Sequence, residues 1–264
     1  MIGVENLSVT FGRGTPLEKR ALDGIDLRIE PGEFVSVIGS NGAGKSTLLS
    51  AIAGDVPATA GRILIDEENV TRLSTARRSA KVARVFQDPL AGSAGQLTIE
   101  ENLALAAARG LNRGLGRALT QSRRVVFRER IAELGLGLEN RLGDRMALLS
   151  GGQRQAVALL MATLAKSSVL LLDEHTAALD PGMAEFVVNL TRRTVADHGM
   201  TTLMVTHSMR QALELGTRTV MLHEGKIVLD VKGEERQGLT VGALVAMFRR
   251  QRGETLDDDA LLMD

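Results

Sequence analysis

The spacing of hydrophobic residues along the chain predicts strands that alternate with helices. Two β-rich runs, Ile2 to Phe11 and Ala21 to Glu30, are separated by turn residues and predict an antiparallel β layer. The apolar run from Phe34 to Ile38 predicts a strand that leads through a glycine-rich loop into a helix. Further apolar runs, Val169 to Leu172 and Thr202 to Val205, predict buried strands. Because helices separate these strands, we expect a mainly parallel sheet.

A helical insert is predicted from about Pro89 to Lys166. Thr98 and Glu101 have the spacing of a capping box, which would open its first helix. The insert carries 11 Lys or Arg against 6 Asp or Glu, whereas the whole chain has 32 of each. A solvated arginine-rich helix face accounts for this surplus, and an acidic partner is the alternative. After the insert, a further helix is predicted with Asp180 as its N-cap and Gly199 just past its end.

Composition excludes several classes of function. The formal net charge is zero, so no global field draws the protein onto nucleic acids. The chain has no Cys, which excludes disulfides, thiolate metal sites and cysteine nucleophiles, and no Trp or Tyr for stacking on bases. The longest nearly continuous apolar stretch, Ala156 to Ala165, has ten residues, whereas a membrane span needs about 20. The first residues lack the pattern of a signal peptide, so we expect a cytoplasmic protein.

Residues 39–47 fit the pattern of a phosphate-binding loop. Its glycines let backbone N–H groups turn towards phosphate oxygens, and the helix that begins near Lys45 offers its positive dipole end. Lys45 would reach the β- and γ-phosphates, and the hydroxyl of Ser46 would bind Mg²⁺. A plain glycine-rich turn is the alternative, which the flanking strand and helix disfavour. We expect the loop to bind nucleotide through Ser40, Asn41, Gly42, Ala43, Gly44, Lys45, Ser46 and Thr47.

Two carboxylates follow the predicted strand that ends at Leu172. Asp173 would hold Mg²⁺, directly or through water, because ligands bind at the carboxyl ends of parallel strands. Glu174 is placed to deprotonate the water that attacks the γ-phosphate. An apolar strand that ends in acids is common, so the hypothesis depends on the phosphate-binding loop found earlier in the chain.

Two further polar residues follow predicted strands. Gln87 lies at the junction with the insert, where its amide can coordinate Mg²⁺ or a water on it, although a lone Gln is by default solvent-facing. His207 can donate a hydrogen bond to the γ-phosphate, and a structural histidine is the alternative. We expect both residues to take part in catalysis.

A second anion site is predicted at the start of a helix from Gln153 to Ala165. Ser150 and the N–H groups of Gly151 and Gly152 precede this helix, and helix N-termini attract anions. One chain therefore contains two predicted phosphate sites.

The sequence resembles the nucleotide-binding subunit of ATP-binding cassette (ABC) transporters over roughly Ile2 to Met247, because six motifs occur in the order that is typical of that family. The resemblance identifies the motifs as follows: Gly39 to Thr47 as Walker A, Gln87 as the Q-loop, Leu149 to Gln153 as the signature, Val169 to Glu174 as Walker B, Ala178 to Asp180 as the D-loop, and His207 as the switch histidine.

Some residues match the family and others depart from it. Phe11 matches the aromatic residue that stacks on adenine, where Tyr is commoner, and a core residue at a strand end is the alternative. His175 and Thr176 stand where Pro followed by Thr or Ser is usual, and Ala156 stands where Arg is frequent. None of these departures removes a catalytic group.

The resemblance implies an α/β fold of the P-loop NTPase class, with a RecA-like core, an antiparallel β layer and a helical subdomain. We expect one ABC ATPase domain over residues 1–264. Its predicted parts are the β layer and core at 1–88 and 167–232, the helical subdomain at 89–166, and a C-terminal helix with an acidic tail at 233–264.

The resemblance also implies an ATPase that uses ATP and Mg²⁺ and couples dimer closure to solute transport by a separate membrane permease. Two copies would meet face to face, each ATP lying between Walker A of one and the signature of the other. Ser150, Gly151, Gly152, Gln153 and Asp180 would complete this composite site. We expect the protein to lie on the inner face of the cell membrane through the permease, with no nucleic-acid partner.

The run from Leu172 to Pro181 is similar to bacterial importers that are paired with an extracytoplasmic solute-binding protein, some of them linked to amino acids. The alternative is a non-transport cassette ATPase that acts on a soluble scaffold, such as an iron–sulfur assembly ATPase. A nucleic-acid-associated cassette is disfavoured because its usual coiled coils, cysteine zinc modules or second cassette are absent from the sequence. A binding-only cassette is opposed by Lys45 and Glu174.

Overall fold

The computed structural model describes residues 1–111 and 116–252. Its strands are β1 (Ile2–Phe11), β2 (Lys19–Ile29), β3 (Phe34–Gly39), β4 (Ala60–Ile65), β5 (Glu68–Asn69), β6 (Val82–Val85), β7 (Val169–Asp173), β8 (Thr201–Val205), β9 (Arg218–His223) and β10 (Lys226–Lys232). Its helices are α1 (Lys45–Ala53), α2 (Thr75–Arg78), α3 (Ile99–Ala107), α4 (Gln121–Ala132), α5 (Gly151–Thr163), α6 (Pro181–His198), α7 (Met209–Leu215), α8 (Gly233–Gln237) and α9 (Val241–Arg252), with a 3₁₀ turn at Met146–Leu148.

These elements form two compact units. Among the described residues, the first unit consists of Met1–Leu73 and those from 201 to 252, and the second consists of those between Ser74 and Met200. The boundaries predicted for the helical subdomain, residues 89 and 166, both fall inside the second unit. Within the described residues, no helix combines the length and the apolar character that crossing a membrane requires.

The first unit contains the predicted antiparallel β layer. Strand β1 pairs antiparallel with both β2 and β4, and β5 continues the sheet beyond β4. Burial alternates along β2, because successive side chains point to opposite faces of the sheet. The prediction of an antiparallel layer at the start of the chain is confirmed.

The first unit also contains a second, mostly parallel group of strands. Strand β3 is buried over Phe34–Ile38 and pairs parallel with β8 and β9, and β10 pairs antiparallel with β9. The predicted succession of strand, glycine loop and helix is confirmed, since α1 begins at Lys45. Helix α9 confirms the predicted C-terminal helix and buries Leu244 and Phe248 in a cluster with Ile38. The predicted acidic tail lies outside the described residues.

The second unit combines the parallel pair β6 and β7 with helices α2 to α6. Helix α5 packs against α3, α4, α6 and β6, so it forms the centre of this unit. Three predicted caps are confirmed: Thr98 and Glu101 form a capping box on α3, Asp180 caps α6, and Gly199 ends α6 in the left-handed conformation.

The predicted bounds of α5 are wrong at both ends. The helix runs from Gly151 to Thr163 rather than from Gln153 to Ala165. The Ser150 hydroxyl accepts a hydrogen bond from the N–H of Gln153, and the Oε1 of Gln153 accepts one from the N–H of Ser150. This capping box closes the first turn around the two glycines, which therefore belong to the helix.

Candidate functional site

The loop that follows β3 requires glycine at two positions. Gly39 has a φ of 148°, and a Cβ there would lie 2.2 Å from the carbonyl oxygen of Leu222. Gly44 has a φ of 103°, and a Cβ there would lie 2.5 Å from the carbonyl oxygen of Ala21. No other residue fits either position, because both contacts are far shorter than a carbon atom permits. These two glycines therefore let the loop pack closely against the backbone at Leu222 and Ala21 before α1 begins.

Lys45 lies in this loop and is only 6% exposed. Its Nζ donates to the carbonyl oxygens of Gly39 at 2.7 Å and Ser40 at 3.0 Å. The ammonium group is thus held against the loop backbone, while Ser46 beside it is exposed. A cation and a helix N-terminus at one loop suit a triphosphate, since both favour negative charge.

His207 lies at the same edge of the first unit's sheet as this loop. Val37 of β3 is in register with Val205 of the parallel strand β8. Gly39 lies two residues after Val37, and His207 lies two residues after Val205, so both lie at the same ends of these strands. His207 is exposed, and Ser208 beyond it caps α7 by accepting from the N–H of Gln211. The structure therefore brings two of the predicted site elements together within this unit.

Phe11 is the last residue of β1 and is 44% exposed. The alternative that it is a core residue is wrong, because its ring stands at the surface of the first unit. An exposed aromatic ring at a strand end is available for stacking on a base.

Asp173 forms an ion pair with Arg84 in the second unit. The Arg84 Nη2 lies 2.7 Å from the Asp173 Oδ2, and the two side chains are 12% and 13% exposed. The guanidinium carbon of Arg84 also lies 4.5 Å from the centre of the Phe86 ring. The sequence reasoning missed Arg84, whose only signal is a charge between apolar residues of a short strand.

Glu174 follows β7 in a left-handed conformation, with a φ of 42°. Its carbonyl oxygen accepts a hydrogen bond from the N–H of Ala177 at 3.0 Å, which closes a turn. Residues other than glycine rarely adopt this conformation, and it concentrates at functional sites.

The neighbouring His175 is buried, with 2% of its surface exposed. Its Nε2 lies 2.9 Å from the hydroxyl oxygen of Thr191 on α6, and that hydroxyl donates to the carbonyl oxygen of Val187 at 2.8 Å. Burial lowers the pKa of His175 to about 4, so its ring is neutral at physiological pH.

Gln87 follows β6 and is exposed. The residue before it is tied to α5, because the Nε2 of Gln155 donates to the carbonyl oxygen of Phe86 at 3.1 Å. Gln155 is 1% exposed, and its Oε1 is a buried acceptor without a hydrogen-bond partner among the described residues. The sequence reasoning missed this amide, although a Gln on the apolar face of a helix is a signal that could have found it.

The signature residues and Asp180 lie at the N-termini of two helices that pack together. Ser150 is the exposed N-cap of α5, and Asp180 caps α6 by accepting from the N–H of Met183. A Cβ on Gly152 would lie 2.5 Å from the Met183 side chain, so α5 approaches α6 closely only because this residue is glycine. These two predicted elements are brought together in the second unit.

The residues predicted to bind Mg²⁺ supply oxygen ligands. The first unit offers the Ser46 hydroxyl, and the second unit offers the Gln87 amide and the Asp173 carboxylate. Among the described residues, there is no group of three or more His, Cys, Asp or Glu that could hold a metal by itself. Each of these groups is by itself a hard oxygen donor of the kind that Mg²⁺ prefers, and Mg²⁺ commonly binds one or two carboxylates together with substrate phosphates and water.

The second unit also contains a groove of about 990 Å³. Arg77, Arg84 and Arg109 line it, and no Asp or Glu is among its described lining residues. Leu105 and Leu111 also line it and are 46% and 64% exposed. We call this surface the arginine groove.

Arg109 is held at the wall of the arginine groove. Its Nη2 donates to the carbonyl oxygen of Ala162 at 2.8 Å and to the hydroxyl of Ser167 at 2.9 Å. Burial lowers the pKa of its guanidinium, and its buried Nε has no hydrogen-bond partner within the described residues. A carboxylate in the groove would compensate this charge.

Comparisons with known proteins give consistent matches. The family model described as "ABC transporter" matches residues 22–177. The chain is 43% identical to the tyrosine transport ATP-binding protein of Clostridioides difficile (strain R20291), over 94% of this chain and 98% of that protein. It is 38% identical to the thiamine import ATP-binding protein ThiQ of Yersinia pestis, over 78% of this chain and 82% of that protein.

The fold also matches solved structures. A dimeric ATP-binding cassette in a post-hydrolysis state, bound to ADP and Pi, is 30% identical and superposes with a TM-score of 0.76. The match covers 88% of this chain and 98% of that chain.

Proposed function

Because the chain belongs to the ABC transporter family, we propose that it drives the import of a small solute through a separate membrane permease. As a member of this family it is an ATP-binding subunit and an ATPase that uses ATP with Mg²⁺. Its fold is the α/β P-loop NTPase fold of ABC ATPases, as the sequence predicts.

The observation that carries the importer proposal is the 43% identity to a tyrosine transport ATP-binding protein over nearly the full length of both chains. We propose an amino acid or a related small solute as the cargo. The extracytoplasmic solute-binding protein remains part of the proposal and rests on the resemblance of Leu172 to Pro181. Relatives named for transport favour a permease over the alternative of a soluble scaffold.

The chemical roles follow from the residues and the family motifs. Lys45 binds the β- and γ-phosphates, and its buried ammonium supports this role because the loop already holds it in place. Ser46, Gln87 and Asp173 hold Mg²⁺, which when bound neutralises charge on the phosphates. Glu174 accepts a proton from the attacking water, and His207 donates a hydrogen bond to the γ-phosphate.

A second copy of the chain completes each nucleotide site in this proposal. Ser150 meets the γ-phosphate that is bound by Walker A of the partner, with Gly151, Gly152, Gln153 and Asp180 around it. Two findings support this arrangement: Ser150 is an exposed helix N-cap, and the related cassette with ADP and Pi is a dimer.

The permease contact is assigned to the arginine groove and the segment from Gln87 to Arg109. The insert from 89 to 166 has five more basic than acidic residues, and Arg109 is one of the basic residues. The groove combines such cations with exposed leucine side chains. Its partner is therefore a permease loop with apolar residues and a carboxylate. This contact would hold the protein at the inner face of the membrane.

Replacing Glu174 by Gln tests the catalytic part of the proposal. The amide keeps the shape of the side chain and loses the base, so we expect unchanged ATP affinity and hydrolysis that is slower by roughly 10² to 10⁴, the usual contribution of a general base. Single-turnover hydrolysis and ATP binding are measured together, with Glu185→Gln on the exposed face of α6 as the matched control. A near wild-type rate for Glu174→Gln would exclude the assignment.

Membrane fractionation and purification from detergent extracts test the transport part. We expect the chain in the membrane fraction together with permease subunits. Recovery with a soluble scaffold protein would support the alternative instead.

A further inference from the structure

His175 carries an imidazole into the interior of the second unit directly after the proposed general base. Only 2% of this residue's surface is exposed. A polar side chain is costly to bury unless it is hydrogen-bonded, and this one reaches α6. The position therefore requires a partner on that helix.

The hydrogen bonds of this ring define its tautomer. Thr191 has one hydroxyl proton, which it donates to the carbonyl oxygen of Val187 at 2.8 Å. With that proton directed at Val187, the Thr191 oxygen is the acceptor for His175, whose Nε2 lies 2.9 Å away, and we assign the ring proton to Nε2 on this ground. A directed chain of hydrogen bonds thus runs from the residue after Glu174 to the backbone of α6.

The backbone at Glu174 needs such support. Its φ of 42° is a conformation that a residue with a side chain keeps only where its surroundings hold it. On the chain before it, Leu172 is fixed by the register of β7 with Val85 of β6. On the chain after it, the side chain of His175 is bonded to α6, so Glu174 lies between two anchored residues.

We propose that His175 is a positioning residue for hydrolysis, which acts by bonding to Thr191 and thereby fixing the backbone that carries the Glu174 carboxylate. This inference rests on the proposed function of Glu174. It explains why the chain tolerates a buried imidazole beside its catalytic segment.

The test removes the bond from the side that is remote from the reacting atoms. Thr191→Val is nearly isosteric and deletes the hydroxyl, whereas Thr191→Ser keeps it. We expect Thr191→Val to lower kcat at least about tenfold with KM for ATP within about twofold, because misplacing a catalytic group slows chemistry without weakening substrate binding. We expect Thr191→Ser to retain the wild-type kcat.

A second variant and a matched control make the test specific. His175→Phe removes the donor from the other side, and its effect on kcat is expected not to add to that of Thr191→Val, since both delete one bond. Thr163→Val on α5 also removes a hydroxyl that donates to a helix carbonyl, that of Leu160, and is expected to leave kcat unchanged. If His175→Phe does not fold, the comparison of Val and Ser at position 191 decides the question.

Melting temperature and ATP affinity are measured for every variant. A Thr191→Val protein that is less stable yet keeps the wild-type kcat would show that the histidine only packs the core, and would overturn the inference. A fast Glu174→Gln protein would overturn the proposed general base instead. A slow Glu174→Gln protein beside a fast Thr191→Val protein would reject the positioning role alone.

Discussion

Arg84 and Asp173 form an ion pair at the ends of neighbouring parallel strands, with 2.7 Å between Nη2 and Oδ2. Both side chains are nearly buried, and the guanidinium of Arg84 also covers the Phe86 ring. The carboxylate that we propose as a Mg²⁺ ligand therefore has a cation of its own chain beside it. Arg84 restrains this carboxylate from the strand that leads to Gln87.

Arg84→Met is expected to lower the free energy of unfolding. Removing one partner of a fully buried ion pair costs roughly 3–5 kcal/mol, and we expect about 1–3 kcal/mol here because some solvent reaches the pair. Urea unfolding measures the change. Asp173→Asn is expected to lower the free energy of unfolding less in the Arg84→Met protein than in the wild-type protein, because the two residues share one interaction.

The exposed pair between Arg124 and Glu100 provides a control for that prediction. Arg124 is 44% exposed, so Arg124→Met is expected to cost less than about 1 kcal/mol. Equal losses for Arg84→Met and Arg124→Met would contradict the importance of burial for the pair at Asp173.

Lys45→Ala is expected to weaken ATP binding strongly and to abolish turnover. The variant removes a cation that would contact two phosphates, and hydrogen bonds to charged groups contribute roughly 1.5–3 kcal/mol each. ATP affinity measured by titration tests this prediction, with Lys226→Ala as a control because Lys226 is 64% exposed on β10. An affinity equal to that of Lys226→Ala would remove the proposed role of Lys45.

The sequence predicts correctly those features of the fold that depend on contacts between residues close together in the chain. Asp180 and Gly199 mark the ends of α6 as predicted, because capping depends on residues within one turn. The predicted start of α5 at Gln153 is wrong, because the capping box between Ser150 and Gln153 closes the first turn around Gly151 and Gly152. Arg84 and Gln155 were not predicted as site residues, because their partners lie 89 and 69 residues away and depend on strand register and helix packing.

Phe11→Ala is expected to weaken ATP binding by about 1–3 kcal/mol if the ring stacks on adenine, by analogy with stacking on nucleic-acid bases. Because Phe11 is 44% exposed, its loss should change the melting temperature little. Affinities for ATP, GTP and triphosphate alone are compared, since only the bases can stack. Leu17→Ala, in the loop after β1 and 85% exposed, serves as the control. An unchanged ATP affinity for Phe11→Ala would end the stacking hypothesis.

Ser150→Arg is expected to block ATP-driven dimerisation and to spare ATP binding by the single chain. An arginine at this exposed N-cap would obstruct the phosphate of the partner's nucleotide and would remove the cap of α5. Size-exclusion chromatography with and without ATP measures the association. Ser150→Thr retains a capping hydroxyl and is expected to dimerise. If Ser150→Arg dimerises at the same ATP concentration as the wild-type protein, the composite site is contradicted.

A mixture of Ser150→Arg and Lys45→Ala chains tests the same site more strictly. A mixed dimer contains one composite site with both residues intact and one with both replaced. We expect the mixture to hydrolyse ATP faster than either variant alone.

Reversing one charge in the arginine groove is expected to weaken the contact with the permease. Arg77 is exposed at the groove, so Arg77→Glu places a carboxylate where we propose that a carboxylate of the permease binds. Repulsion between like charges slows association and weakens the contact, and we expect copurification with the permease to fall at least about tenfold while ATP hydrolysis by the isolated subunit persists. Arg192→Glu, on the exposed face of α6 and outside the groove, makes the same charge change as a control.

Crosslinking locates the contact directly, because the chain has no Cys of its own. A cysteine at Leu105, which is 46% exposed in the groove, is expected to crosslink to permease loops in isolated membranes. A cysteine at Arg62 on β4 places the same probe on the antiparallel β layer, where we expect no crosslink. The two positions separate a permease contact at the groove from one at the β layer. Crosslinks from Arg62 alone, together with normal copurification of Arg77→Glu, would show that the permease binds elsewhere.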